Sequence, residues 1–454
     1  PSTGSGQAGA LTAALRAGDS YLVQGLAAGA ETVGEAREFI RSKDLSGPVS
    51  VKMLRGGRLP YVDDMVNLLV VSDDCGVSRR EMERVLAPGG VLWRDGARLV
   101  KPWPDDIDGW THLMHGPDGN PVSRDTRVGP PAYAQWVIGP NWPRHHDSGG
   151  SSYTGMVSDN GRLFTIRDEA PAFSTFTPSE GCLVAQDAFN GKVLWRRPIA
   201  DWVFPGNRGG PAALSRRLVA VGDRVYVAPG LDAPVSVLDA ATGEEVMTLA
   251  ESDHAGEIIV TGDRIFVTTG LAEETAWPNA SNTGFWEPSE RRLKAYERKS
   301  GRLLWEKKTG VFPMTLAVAG GGLYYHDTDR VVCLDPATGE RRWQGAELPF
   351  KEEFSRSKAP ILLVKDGVVL YSMTTAGGRS MGAGTLPAFD AEDGEELWTA
   401  DFPPMGNCCP KDLFVINGVV YMYTRAGGMK VIGLDLHTGT KRKEFGPKND
   451  PAYF

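Results

Sequence analysis

With 454 residues the chain exceeds what one hydrophobic core serves, and two or three domains are expected. Fifty-five glycines, 31 prolines and 12 tryptophans without a long apolar run exclude a helical bundle or a transmembrane segment, and predict many short strands joined by turns. The formal charge of −8, with both signs interspersed, points to neither nucleic acid nor an anionic membrane surface. Five cysteines without a C-x-x-C spacing exclude a disulfide scaffold, a zinc ribbon and a covalent haem attachment.

Residues 1–95 alternate helical patterns with short apolar runs. "TGSGQAGALTAALRAG" places Gly4, Gly6 and Gly9 in a G-x-G-x-x-G ahead of helix-period apolar residues. "SYLVQGLA" and "VSVKML" predict strands, "AETVGEAREFIRSK" a helix, "DMVNLLVVSD" a strand, and "SRREMERVLAPGGVLW" a helix leading through a turn into a strand. That order is a small α/β, Rossmann-like domain. The chain opens at Pro1 without methionine, inside the glycine motif, so a natural start further upstream is expected.

Residues 96–150 read as a linker and lead-in segment, and from 151 to 454 one pattern repeats six times. Each copy carries an acid and a glycine at one spacing: Asp187/Gly191, Asp239/Gly243, Glu297/Gly301, Asp335/Gly339, Asp390/Gly394 and Asp435/Gly439. The glycines are spaced by 52, 58, 38, 55 and 45 residues, which suits four-stranded propeller blades with variable loops. Each copy predicts strand A, a Gly-Asp, Asp-Gly or Asn-Gly turn, strand B, strand C, the acid-to-glycine turn, and strand D. Trp195, Trp305, Trp343 and Trp398 recur at one place in strand D and are expected to pack between blades.

These copies resemble the pyrroloquinoline-quinone (PQQ)-type propeller repeat of quinoprotein alcohol dehydrogenases and of non-catalytic outer-membrane assembly lipoproteins. The likeness includes "WTHLMHGPDGNPVSRDTRVGPPAYAQW" with Trp110, Gly116, Asp118, Asn120 and Trp136, which is similar to the stretch those families place ahead of blade one. It implies a mainly β fold, a β-propeller of four-stranded antiparallel blades. Six blades are visible, and seven or eight are expected when complete, because an open propeller exposes two sheet edges that a further C-terminal segment, a second chain or the lead-in segment must close. The order of residues 1–95 resembles a class I S-adenosylmethionine methyltransferase. That family holds the ribose with an acid after the second strand, where Ala27 stands here, so a degenerate, structural domain is expected and S-adenosylmethionine is not.

In such a propeller the tight turns share one face and the variable loops the other. The loop face is expected to carry His145, His146 and Asp147 of "RHHD", Arg208 of "GNRGG", His254 of "SDHAG", and Cys408 and Cys409 of "GNCCPK". A long insertion there, residues 269–292, adds Trp277 and Trp286 as a stacking platform for a sugar or other flat ligand. Adjacent imidazoles point apart on an extended strand, so the histidines are expected as structural or hydrogen-bonding groups and no metal site is assigned. In some quinoprotein dehydrogenases a vicinal disulfide lies against the quinone, so the resemblance admits PQQ with calcium beside Cys408–Cys409. The tryptophan floor, calcium ligands and aspartate base of such a site cannot be assigned here, and reduced or structural cysteines are the reading preferred.

The resulting expectation is a binding or assembly scaffold without catalytic activity, outside the cytoplasm, with a protein or carbohydrate ligand on the loop face. The alternatives are a periplasmic quinoprotein oxidoreductase or carbohydrate-active enzyme using that face, and an S-adenosylmethionine-dependent methyltransferase.

Overall fold

The computed structural model describes residues 5–71, 75–129, 134–139, 153–171, 180–199, 214–230, 232–270, 283–284, 291–348, 354–355, 360–374, 384–402, 413–424 and 430–446. Two compact units emerge. The first comprises residues 1–107, 126–138 and 186–195, and the second residues 108–125, 139–185 and 196–454.

The first unit runs α1 (Ser5–Ala14), β1 (Val23–Ala27), α2 (Ala30–Ser42), β2 (Val49–Met53), β3 (Val66–Val71), α3 (Arg79–Val85), β4 (Leu86–Arg94) and β5 (Ala97–Val100). In α2 the buried Val33, Ala36 and Ile40 recur at helical spacing and pack on Val49 and Val51 of β2. Helix α3 opens at Ser78, whose hydroxyl accepts the Glu81 amide at 3.2 Å, and it buries Met82 and Val85 against Leu86 and Leu92. Strands β1 and β2 pair in parallel, as do β3 and β4, while β5 returns antiparallel on β4. The alternating helices and strands are those expected, but they form a two-stranded and a three-stranded sheet rather than one doubly wound sheet. "APGG" also differs from the expected turn: it lies inside β4, which begins directly after Val85, with Gly89 at φ 75°.

The strands that follow build six four-stranded antiparallel sheets spanning 153–198, 218–248, 255–308, 317–344, 361–402 and 413–445, each in chain order from an inner strand A to an outer strand D. The A-to-B hairpins turn on Asn160-Gly161, Gly222-Asp223, Gly262-Asp263, Gly320-Gly321, Asp366-Gly367 and Asn417-Gly418, with positive φ at one or both residues. In the C-to-D turns the acid gathers the amides that follow it. Asp239, for example, accepts from Ala241 and Thr242 at 2.9 and 3.1 Å. Strands alternate so that both faces of the middle sheets are apolar and buried, and neighbouring sheets share cores, as Leu363, Leu370 and Ala388 of the fifth do with Val415, Val420 and Leu434 of the sixth.

The recurrent strand D tryptophans lock one sheet to the next turn. Trp305 lies on Gly339, Trp343 on Gly394 and Trp398 on Gly439, and each indole N–H donates to the carbonyl three residues before that glycine: Pro336 at 3.2 Å, Ala391 at 3.0 Å and Leu436 at 2.9 Å. Trp136 repeats the arrangement inside the first unit, over Gly191 with its N–H on Ala188 O at 3.0 Å. The corresponding residue of the second sheet is Met247, against Gly301, and that of the sixth is Lys443, opposite Gly433. The face of the sixth sheet turned away from the fifth carries Phe414 stacked on Tyr421 at 5.3 Å, with Phe445 54% exposed beyond them.

The inner strands converge on residues 110–120. At the penultimate residue of every strand A the backbone N–H donates to this segment. Ser158 donates to Trp110 O (2.8 Å), Ala220 to Thr111 O (3.0 Å), Val260 to His112 Nε2 (3.1 Å), Val318 to Pro117 O (2.7 Å), Val364 to Asp118 O (2.8 Å) and Val415 to Asn120 Oδ1 (2.9 Å). Asn120 is 4% exposed and returns a bond from Nδ2 to Val415 O at 3.0 Å, so its amide completes the edge of the sixth sheet as a strand residue would.

Two stability predictions follow from this packing. Gly367 and Gly394 share φ 79°, but a Cβ at Gly367 meets open space whereas one at Gly394 runs into the Trp343 ring. Gly367→Ala should therefore cost about 1 kcal/mol and Gly394→Ala about 3 kcal/mol or more in urea unfolding, and equal costs would refute the tryptophan lock. Asn120→Asp keeps an acceptor for Val415 N–H but sets a buried carboxylate against Val415 O. A loss on the order of 3 kcal/mol is expected at pH 7, and a neutral result would show that the segment does not anchor the sixth sheet.

Candidate functional site

At the convergence point the segment itself carries a chain of polar contacts. The Val260 N–H can only donate, so the Nε2 it reaches on His112 carries no proton, and the ring's one proton sits on Nδ1. Nδ1 lies 2.8 Å from Thr111 Oγ1, whose hydroxyl donates to His115 O at 3.0 Å. His115, at φ 70°, in turn places Nε2 2.8 Å from Asp108 Oδ2 and sets its ring edge-on to Trp110 at 5.3 Å. Burial, reinforced by the charges of Arg216 and His115, pushes His112 down to about 3, so its imidazole is neutral throughout the neutral range. Burial alone would raise Asp108, but the Arg124 amide and His115 outweigh it and hold the carboxyl below its ordinary value. Burial raises the carboxyl of Asp118.

Beside this relay stands a buried ion pair. Arg216, ahead of the second inner strand, donates through Nη1 to Glu257 Oε2 at 2.8 Å and to Leu316 O at 2.9 Å, tying three sheets together. The other oxygen of Glu257 accepts the Met314 amide at 2.5 Å. Both Glu257 oxygens and Arg216 Nη1 are engaged, whereas Arg216 Nε is buried without a hydrogen-bond partner, and removing either member of the pair leaves the other charge uncompensated. The chemistry on view is positioning: Asp108 and His115 form an oriented acid–imidazole pair, but its protons are committed to the fold.

On the loop face, His254 adopts φ 55° and places Nδ1 2.8 Å from Asp232 Oδ1. Nearby, Lys294 is 5% exposed and bonds to Glu251 O at 2.7 Å and to Glu306 at 3.1 Å. Thr283–Gly284, within the long insertion of the third sheet, pairs antiparallel with Phe354–Ser355. His254 is thus placed with an acid. His145, His146, Asp147, Arg208, Trp277, Trp286, Cys408 and Cys409 lie outside the described residues, as does Gly4. Among the described residues, no three or more His, Cys, Asp or Glu side chains are grouped so that they could hold a metal ion. Gly6 falls inside α1, and a Cβ on Gly9 would stand 3.0 Å from Phe39 of α2, so Gly9 serves helix packing. Ala27 ends β1 and packs against the apolar cluster of Val33 and Val49.

Trp110, Asp118 and Asn120 belong to the lead-in motif without a role assigned by the sequence, and no sequence pattern marks His112, Arg216 or Glu257. A signal for the segment is present in the sequence: six inner strands have six free edges, and the polar lead-in segment carries acceptors to meet them.

Comparison with known proteins follows the repeats. The family described as outer membrane protein assembly factor BamB matches over residues 140–288, 179–346 and 289–445. A BamB of Burkholderia pseudomallei is 25% identical over 272 residues, 51% of this chain and 69% of that protein. A BamB of Moranella endobia is 25% identical over 273 residues, 57% of this chain and 61% of that one, so this chain spans less than two thirds of the second relative. Among solved structures, BamB of Moraxella catarrhalis aligns with a TM-score of 0.40 at 16% identity, over 64% of this chain and 71% of that one. The quinohemoprotein alcohol dehydrogenase of Comamonas testosteroni aligns at 0.37 and 12%, over 74% of this chain and 73% of that one. With more than half of its residues matched by the family's sequence profile, the chain belongs to the family of outer membrane protein assembly factor BamB.

Proposed function

We propose that this chain is a non-catalytic, protein-binding scaffold that works outside the cytoplasm in the assembly of outer-membrane proteins, and that it meets its partners through the propeller's loop face. The observation that carries this reading is the match of residues 140–445 to an assembly-factor family. The distribution of polar groups supports it: the tight-turn ends are short and alike, whereas Asp232, Glu251 and His254 stand among loops that differ from sheet to sheet. Among the described residues, no helix is long and apolar enough to cross a membrane.

A photo-crosslinking residue at His254 should capture a component of the outer-membrane assembly machinery in cells, and one at Thr242, on a tight turn, should not. Capture from Thr242 alone would move the partner to the other face. Oxidation of an alcohol on addition of PQQ and calcium would overturn the non-catalytic reading. Residues 1–95 are read as a degenerate, methyltransferase-like domain, because Ala27 replaces the ribose-binding acid and Gly9 is used for helix packing. Titration calorimetry should give no heat with S-adenosylmethionine, and micromolar binding would restore the cofactor site.

A further inference from the structure

Six backbone N–H groups hold residues 110–120, and five of their acceptors are oxygens of peptide groups or of the Asn120 amide, which gain no proton in the ordinary pH range. The sixth is the imidazole nitrogen of His112. A proton on Nε2 turns that acceptor into a donor facing the Val260 N–H, and the ring has no other tautomer to offer because Nδ1 already spends its proton on Thr111. The charged groups around it give an imidazolium no welcome. From the second sheet comes Arg216, and on its own segment His115 is paired with Asp108, while Asp118 lies on the way to the fifth sheet. From the third sheet comes Glu257, whose two oxygens are held by Arg216 and Met314.

We propose that His112 is an acid-sensitive latch: a solvent proton taken up on Nε2 frees residues 110–120 from the inner strands while the sheets themselves stay folded. The loosened segment loses the Val260 bond first, and with the Thr111 relay broken, the Ala220 bond next to it. The sheets are separately secured by their own ladders and tryptophan locks, which contain no titrating acceptor in the tryptophan–turn bonds.

The sign follows from the two protonation states. His112 is held at about 3 in the latched state and returns towards the ordinary 6.5 when exposed, so the latch is fully closed above 6.5 and weakens as the pH falls below that value. Between pH 7 and pH 5 the opening constant should rise about 25-fold, the ratio set by a released imidazole of ordinary affinity.

Amide hydrogen exchange on the whole protein, corrected for the intrinsic pH dependence, tests this. Val260 and Ala220 should open about 25-fold more at pH 5 than at pH 7, while Phe266, inside the third sheet, changes much less. His112→Gln, which offers an amide oxygen that does not titrate, should abolish the rise. A flat profile at Val260, a rise that Phe266 shares equally, or a rise that persists in His112→Gln would each overturn the latch. Should the variant fail to fold, the comparison of Val260 with Phe266 in the unaltered protein still decides. Buried His326, held at about 4, titrates with global unfolding and would move both amides together.

Discussion

Everything in the repeat region depends on satisfying the inner edges of its sheets. A four-stranded sheet whose strands run in order from inside to outside leaves one free edge at each end, and the outer one meets water. The inner edges crowd together where little water reaches, so their N–H groups need acceptors from the protein. One eleven-residue stretch provides them, contacting the same position of each successive strand A in chain order. Each bond is worth only about 1 kcal/mol net, but an unmet buried N–H costs more than that, so the segment acts mainly by removing six penalties.

The sheets meet one another by a second repeated device, and the two are complementary. The indole of strand D sits on the glycine of the next turn because a side chain there would collide with the ring, and that glycine is required anyway by its positive φ. One residue type thus answers to a backbone constraint and a packing constraint at once. Where the tryptophan is absent the turn contact changes character: the flexible thioether of Met247 fills the space above Gly301, and Lys443 instead points its ammonium towards the Tyr421 hydroxyl at 3.5 Å.

This is also why the repeats were legible in the sequence and the site was not. The acid, the glycine and the tryptophan recur because each repeat solves the same local problem, so their spacing announces strands, turns and sheet contacts without any knowledge of the rest. The lead-in segment solves six different problems with one short sequence. Trp110 and Thr111 use main-chain oxygens, His112 a ring nitrogen and Asn120 a side-chain amide, and no periodicity marks such a set. Arg216 and Glu257 were equally silent, since their pairing bridges residues 41 apart whose placement depends on how three sheets stack. In the first unit, the G-x-G-x-x-G pattern falls where the methyltransferases that this region resembles have their cofactor loop. The helix instead starts at Ser5, and Gly9 is explained by the approach of α2.

The same arrangement sets an order on folding. The segment is made before any of the six sheets, yet its last contact, Asn120 with Val415, joins residues 295 apart. Each sheet is a local meander that can form from its own hairpins, whereas the convergence requires all six inner strands, so closing those loops carries an entropic cost that no early contact offsets. The segment must therefore settle last, on sheets already formed. A structure assembled in that order can be loosened in the reverse order, with the central segment leaving before any blade unravels, and this makes a single titratable acceptor within it consequential.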